Sequence, residues 1–261
     1  MHGKTKKIDG GFLLQFAADD FRNKYAGSIM GVTWAFVQPL MTIVIYWFIF
    51  QVGFHSQPVA DYPFILWLVS GIISWFFISE GIVGATPALA EYSYLVKKVV
   101  FPIEILPLTK ILSCFFVQIF LVVFTILFFC GFGYYPDLYY LQLPYYMLYM
   151  ILLLVGVSYI AAALYPFFRD LLQIVNICMQ VLFWLTPIVW DFNIMGEAVQ
   201  KILKLNPVYY VVQGYRDAFV YKEFFWENWQ AGLYYWAAAL ILLLLGRVIF
   251  RKMQAHFADV L

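Results

Sequence analysis

Apolar runs of bilayer length alternate with short polar connectors along this chain. Stretches near 34–54, 63–83, 111–131, 145–166, 171–190 and 230–250 are almost uniformly hydrophobic. Each is close to the roughly 20 residues a helix needs to cross about 30 Å of hydrocarbon. Hydrocarbon offers backbone N–H and C=O groups no partner, so such segments must be helical. The expected fold is an all-α integral membrane protein with six transmembrane helices. Residues 8–25 place Ile8, Phe12, Leu13, Phe16, Ala17 and Phe21 at near-helical spacing, with Gln15, Asp19, Asp20, Arg22 and Asn23 largely opposite. This predicts an amphipathic interface helix lying in the headgroup plane. Pro87 suits the first turn of a helix and Pro102 lies beyond its end, so residues 87–98 predict a short cytoplasmic helix. In 191–229, Ile194, Ala198, Ile202 and Leu205 recur at spacings of three and four before Asn206-Pro207 breaks the pattern, and a second helical stretch runs from Val208 to about Tyr221. Two short re-entrant helices that dip into the outer leaflet before the last span fit this pattern, as does a pair lying on the surface.

Charge sets the orientation. Twelve of the 16 Lys and Arg residues fall in connectors on the side that holds both termini, and the other four (Lys201, Lys204, Arg216 and Lys222) fall in 191–229. The positive-inside rule then places both termini in the cytoplasm. The expected layout is a cytoplasmic N-terminus with the interface helix over 1–33, a six-span domain over 34–250 and a cytoplasmic tail over 251–261.

Charged residues make up 12% and hydrophobic residues 64% of the chain, against about a quarter charged in soluble domains. No connector is long enough for a soluble core. A net charge of +1 gives no pull toward nucleic acid. No apolar h-region follows Lys4, Lys6 and Lys7, so a cleaved signal peptide is not expected. Cys114, Cys130 and Cys178 lie in predicted spans without a C-x-x-C pair and read as small apolar residues. His2, His55 and His256 fall outside the spans, and neither H-E-x-x-H nor G-x-S-x-G occurs, so neither catalysis nor a metal site is expected. Gly3-Lys4-Thr5 lacks the upstream glycine of a phosphate-binding loop. Any nucleotide that drives this chain must bind another polypeptide.

Polar residues in spans are costly unless they face protein or water. The fifth span aligns Gln173, Asn176, Gln180 and Trp184; the second carries Trp67, Ser70 and Ser74 in line with Phe77 and Gly81; the first offers Trp34, Gln38, Thr42 and Tyr46. Hydrogen-bonding groups mixed with flat rings suit a sugar chain, whose hydroxyls need partners and whose C–H faces stack on aromatics. Small polar residues also serve as helix–helix glue. Glu80, near the inner end of its span, is expected to pair with a basic residue at the inner surface. Arg169 and Asp170 are placed to cap helix ends or pair locally. Trp47, Tyr62, Trp67, Tyr134, Tyr135, Tyr139, Tyr140, Tyr145 and Tyr146 read mostly as an interface belt.

Five segments in order carry a family resemblance: Phe21–Phe50, Leu95–Leu108 (LVKKVVFPIEILPL), Phe167–Val175 (FFRDLLQIV), Phe183–Trp190 (FWLTPIVW) and Leu205–Phe219 (LNPVYYVVQGYRDAF). Together they resemble type-2 ABC exporter permeases, in particular those exporting O-antigen, capsule or teichoic-acid polysaccharides. The resemblance implies a homodimer in the bacterial inner membrane, bound to two copies of a separate ATPase that carries the ATP and Mg, with no cofactor on this chain. It implies a lipid-linked polysaccharide on undecaprenyl diphosphate as cargo, with membrane lipids around it. ATPase docking would use the N-terminal helix and the Pro87–Lys98 region, with Pro87, Leu89, Glu91, Tyr92, Tyr94 and Leu95 as candidates. The helical pair after Trp190 would form the outer gate. Arg22, Lys24, Lys97, Lys98 and Arg169 sit where a lipid diphosphate would enter. A type-2 exporter of a smaller lipid-linked sugar, teichoic acid or drug shares the same architecture, and a non-transporting membrane scaffold or enzyme is the reading from another class.

Overall fold

The computed structural model describes residues 10–97 and 101–261. Lys98, Lys4, Lys6, Lys7, His2 and the tripeptide Gly3-Lys4-Thr5 lie outside the described residues. Twelve α-helices run in order among those described: α1 (Gly10–Lys24), α2 (Trp34–Trp47), α3 (Phe64–Ala85), α4 (Ala88–Glu91), α5 (Ser93–Val96), α6 (Ile105–Gly131), α7 (Leu143–Leu164), α8 (Leu171–Leu185), α9 (Glu197–Leu203), α10 (Pro207–Arg216), α11 (Trp229–Met253) and α12 (Phe257–Val260). Five helical segments, Gly31–Gly53, Phe64–Ala85, Ile105–Gly131, Leu138–Leu164 and Trp229–His256, are long and apolar enough to cross a membrane. The chain is thus an all-helical, multi-pass integral membrane protein.

The expected fifth span, 171–190, is shorter than its hydrophobicity predicts. α8 has 15 residues, about 22 Å at 1.5 Å per residue. Pro187 disfavours helical geometry at the residue before it, and Thr186 is extended at φ −95°, ψ 131°. The remaining apolar residues of the run, Ile188 and Val189, pack inside the subunit instead of continuing the helix.

α3 is the centre. It is apolar all round, as buried helices are, and 17 of its 22 residues are buried. α7 packs along α11 through two glycines that let the backbones approach. A Cβ on Gly156 would sit 2.6 Å from the Leu243 amide nitrogen, and one on Gly246 would overlap the Gly156 carbonyl oxygen.

The connector 191–229 does break at Asn206-Pro207. Pro207 opens α10, and the Asn206 side chain caps it by accepting from the Val208 amide at 2.9 Å. α10 contacts α3 and α7, with Gly214 set against the Tyr146 ring so closely that a Cβ would overlap it. Aromatic hydroxyls lock this end: the Tyr145 and Tyr210 oxygens lie 2.8 Å apart, Trp236 Nε1 donates to Tyr145 at 2.6 Å, and the Tyr149 hydroxyl donates to the Pro207 carbonyl at 3.2 Å. The expected interface belt is therefore corrected in part. Trp67 and Tyr146 are buried against Arg216 and Tyr210 of α10, and Tyr140 against Phe219 just beyond it.

Residues 87–98 depart from the single predicted helix. Within the described part, α4 and α5 are single turns separated at Tyr92, whose φ −103° and ψ 29° leave the helical region. Tyr92 is held there by Asp20. That carboxylate was expected on the polar face of α1, yet it is 4% exposed. It accepts from the Tyr92 hydroxyl at 2.5 Å and from Lys110 Nζ at 2.6 Å. Burial, and then the bond to Asp20, hold the Tyr92 phenol pKa well above its ordinary range. Lys110 also pairs with Glu91 at 2.6 Å, so α1, α4 and the foot of α6 share one ionic knot.

Candidate functional site

Two helices stand apart from the packed centre. The segment containing α2 is 11% buried, against 78% for α3, and α8 buries Phe183 alone. Both carry the polar-aromatic stripes read from the sequence, and both lie against α3. An open recess lies between them, lined by Thr42 and Tyr46 of α2, Trp75, Phe76, Ser79 and Val83 of α3, and Asn176, Met179, Gln180, Phe183 and Trp184 of α8. Stacking shapes its wall. The Tyr46 and Phe183 rings lie 5.8 Å apart at 18°, and Trp75 and Trp184 meet Phe183 at 5.5 and 5.4 Å. Trp184 remains 60% exposed.

A second cavity, behind α2, shares Thr42, Trp75, Phe76 and Ser79 with the recess. It adds Gln38, Gln118, Cys114 and the Lys24–Glu80 ion pair. Glu80 thus has the basic partner expected at the inner surface. Burial works against the Lys24 charge, but the Coulombic pull and hydrogen bond of Glu80 outweigh it and raise the ammonium pKa above its ordinary range. Lys24 is therefore charged and already engaged.

The structure brings together Thr42, Tyr46, Asn176, Gln180 and Trp184, with Gln38 in the adjoining cavity. Gln173 is exposed and lies outside the recess lining. Trp67, Ser70 and Ser74 sit inside the subunit. The two serine hydroxyls donate to their own helix, at the Trp67 and Gly71 carbonyls. The α3 face that does reach the recess is Trp75, Phe76, Ser79 and Val83, and sequence reasoning missed it. Its Trp75–Ser79–Val83 spacing of four was visible, but so was the competing stripe. Arg216 was missed as well, having been counted only as an outer-connector charge; it is 1% exposed and stacked on Trp67.

Among the remaining candidates, Arg22, Lys97 and Arg169 are exposed, and Lys98 lies outside the described residues. Pro87 is half-buried, while Leu89 has no exposed surface and anchors α4 in the core, so it offers no docking contact. Leu95 packs against the core, Glu91 and Tyr92 belong to the Asp20–Lys110 knot, and Tyr94 is 58% exposed.

O-antigen export system permease proteins RfbA of Klebsiella pneumoniae match at 26% identity over 243 and 245 residues, covering 93% of this chain and 92% of each relative. A protein of the same name from Myxococcus xanthus matches at 24% over 251 residues, 95% of both chains. A family model described as ABC-2 type transporter matches residues 13–220, from α1 past α10 and across every residue of the recess. The chain belongs to the ABC-2 type transporter family.

Proposed function

We propose that this chain is the membrane-spanning subunit of an ATP-driven exporter that carries a lipid-linked polysaccharide, of the O-antigen kind on undecaprenyl diphosphate, out of the cytoplasm across the bacterial inner membrane. The observation that carries this reading is the recess between α2 and α8. Amides, a threonine and broad ring faces converge there on a surface the subunit leaves uncovered, which is the chemistry a glycan needs. Two copies facing each other through α2 and α8 would enclose a passage, so the working unit is a homodimer. α8 then completes a sixth crossing together with the buried turn that follows it at 186–189, and both termini are cytoplasmic. α9 and α10 re-enter the outer leaflet as the outer gate. Residues 1–33, 34–250 and 251–261 form the N-terminal, spanning and tail regions.

ATP and Mg bind on two copies of a separate ATPase, with no cofactor on this chain. That ATPase docks on α1 and on the exposed side of the α4–α5 segment around Pro87, Glu91 and Tyr94, where the Asp20–Lys110–Glu91 knot passes its motion to α6. Arg22, Lys97, Lys98 and Arg169 attract the lipid diphosphate at the inner surface, and Lys24 joins them once it leaves Glu80. The test is co-purification with the candidate ATPase followed by hydrolysis assays. Stimulation by lipid-linked glycan supports the reading. Stimulation only by a smaller lipid-linked sugar, a teichoic acid or a drug would reassign the cargo, and failure to bind any ATPase would leave a scaffold.

A further inference from the structure

Arg216 is the one buried cation among the described residues. It has no carboxylate within ion-pair distance there, and its Nε has no hydrogen-bond partner. An unpaired charge in a low-dielectric interior is costly and marks a functional position by default. Its two terminal nitrogens donate to consecutive carbonyls just beyond α8, Nη1 to Pro187 at 2.6 Å and Nη2 to Ile188 at 2.7 Å. The guanidinium carbon lies 3.5 Å from the Trp67 ring centroid. Gly71, one turn along α3, leaves the space that a Cβ would fill at 3.0 Å from the guanidinium. α3 thus supplies a slot and a ring face without an acceptor. At the other end of α10, Asn206 Nδ2 donates to Thr186 Oγ1 at 2.8 Å. Side chains from both ends of α10 therefore grip the same buried stretch, 186–188, while α8 itself buries only Phe183.

We propose that Arg216 is the joint that makes α10 and the outer end of α8 move as one body, and so is a positioning residue for Gln180 and Trp184 in the recess. α8 is weakly held along its length and firmly held where it ends, so a displacement of α10 must swing the recess wall. A planar fork on two adjacent carbonyls fixes direction as well as distance, which a lysine ammonium cannot do. The joint's consequence for transport rests on the proposed export function; its geometry does not.

The test uses the permease purified with its ATPase and a spin label on native Cys178, the exposed cysteine of α8, with Cys114→Ala and Cys130→Ala removing the other two. In Arg216→Met the label should become more mobile. Basal ATP hydrolysis should stay within about twofold, and stimulation by lipid-linked glycan should fall about tenfold. Arg216→Lys should lie between Arg216→Met and the parent. An unchanged Cys178 spectrum in Arg216→Met overturns the joint. If Arg216→Met does not assemble, Arg216→Lys, which keeps the charge and loses the planar fork, is read by the same spectrum; a label more mobile than in the parent supports the joint, and an unchanged one overturns it. The spectrum needs no cargo. A mobile label in a complex that never responds to glycan therefore keeps the joint and rejects the polysaccharide reading.

Discussion

The block formed by α3, α7, α10 and α11 and the pair formed by α2 and α8 are built from the same residue types yet packed in opposite ways. In the block, glycines bring backbones into contact, tyrosine and tryptophan polar atoms find partners, and α3 is apolar on every side. In the pair, tryptophan, tyrosine and amide side chains stand on open surface. Close packing makes a rigid element, because any displacement opens voids or clashes. Sparse packing leaves surface for a partner or cargo and lowers the cost of movement. The block is the frame, and the pair is the surface on which the proposed function rests.

The largest effect should follow from forcing the frame apart. Gly156→Val places a branched side chain against the α11 backbone, at a cost of at least about 4 kcal/mol, so the protein should fail to accumulate in membranes on immunoblots. Accumulation at the parent level would mean that α7 and α11 are not in close contact. Next comes the ionic knot at the inner surface. Asp20→Ala leaves Lys110 with Glu91 alone and should cost about 3 kcal/mol, read from unfolding in detergent mixtures, together with weaker ATPase binding; a change under about 0.5 kcal/mol would make Asp20 an ordinary surface residue.

The surface of the pair should respond differently. Trp184→Ala removes an exposed ring, so stability should change by no more than about 0.5 kcal/mol, while glycan-stimulated ATP hydrolysis falls several-fold. A Trp184→Ala chain that cannot assemble would place that residue with the frame. The smallest effect is expected at the cations between the second and third spans. Lys97→Glu with Lys98→Glu should lower export modestly and in a salt-dependent way, with dimer assembly and ATPase docking kept; unchanged export would remove them from diphosphate binding.

Much of this division was written in the residue pattern. Helix positions, the break at Asn206-Pro207, the Glu80 pairing and the α2 and α8 stripes follow from period and charge, which are local properties. The rest depends on neighbours far away in sequence. Ser70 and Ser74 carry the same polar stripe as Gln180, but α3 turns that side toward Arg216, and no pattern within α3 reveals a cation more than 140 positions later. Asp20 had the charge of a solvated face and the partners of a buried one. The early end of α8 was legible at Pro187, where overall hydrophobicity concealed it.

The most direct measurement compares two surfaces that are both exposed in the subunit. In a Cys178→Ala background, Gln180→Cys on the recess and Leu127→Cys on the outer face of α6, where Leu127 is 65% exposed, are treated with a charged, membrane-impermeant thiol reagent. If the recess carries cargo, the cysteine at 180 reacts readily and is protected by lipid-linked glycan, whereas the one at 127 stays unreactive in hydrocarbon. Equal, low reactivity at both positions would mean that α2 and α8 face lipid, and that no pathway runs between them.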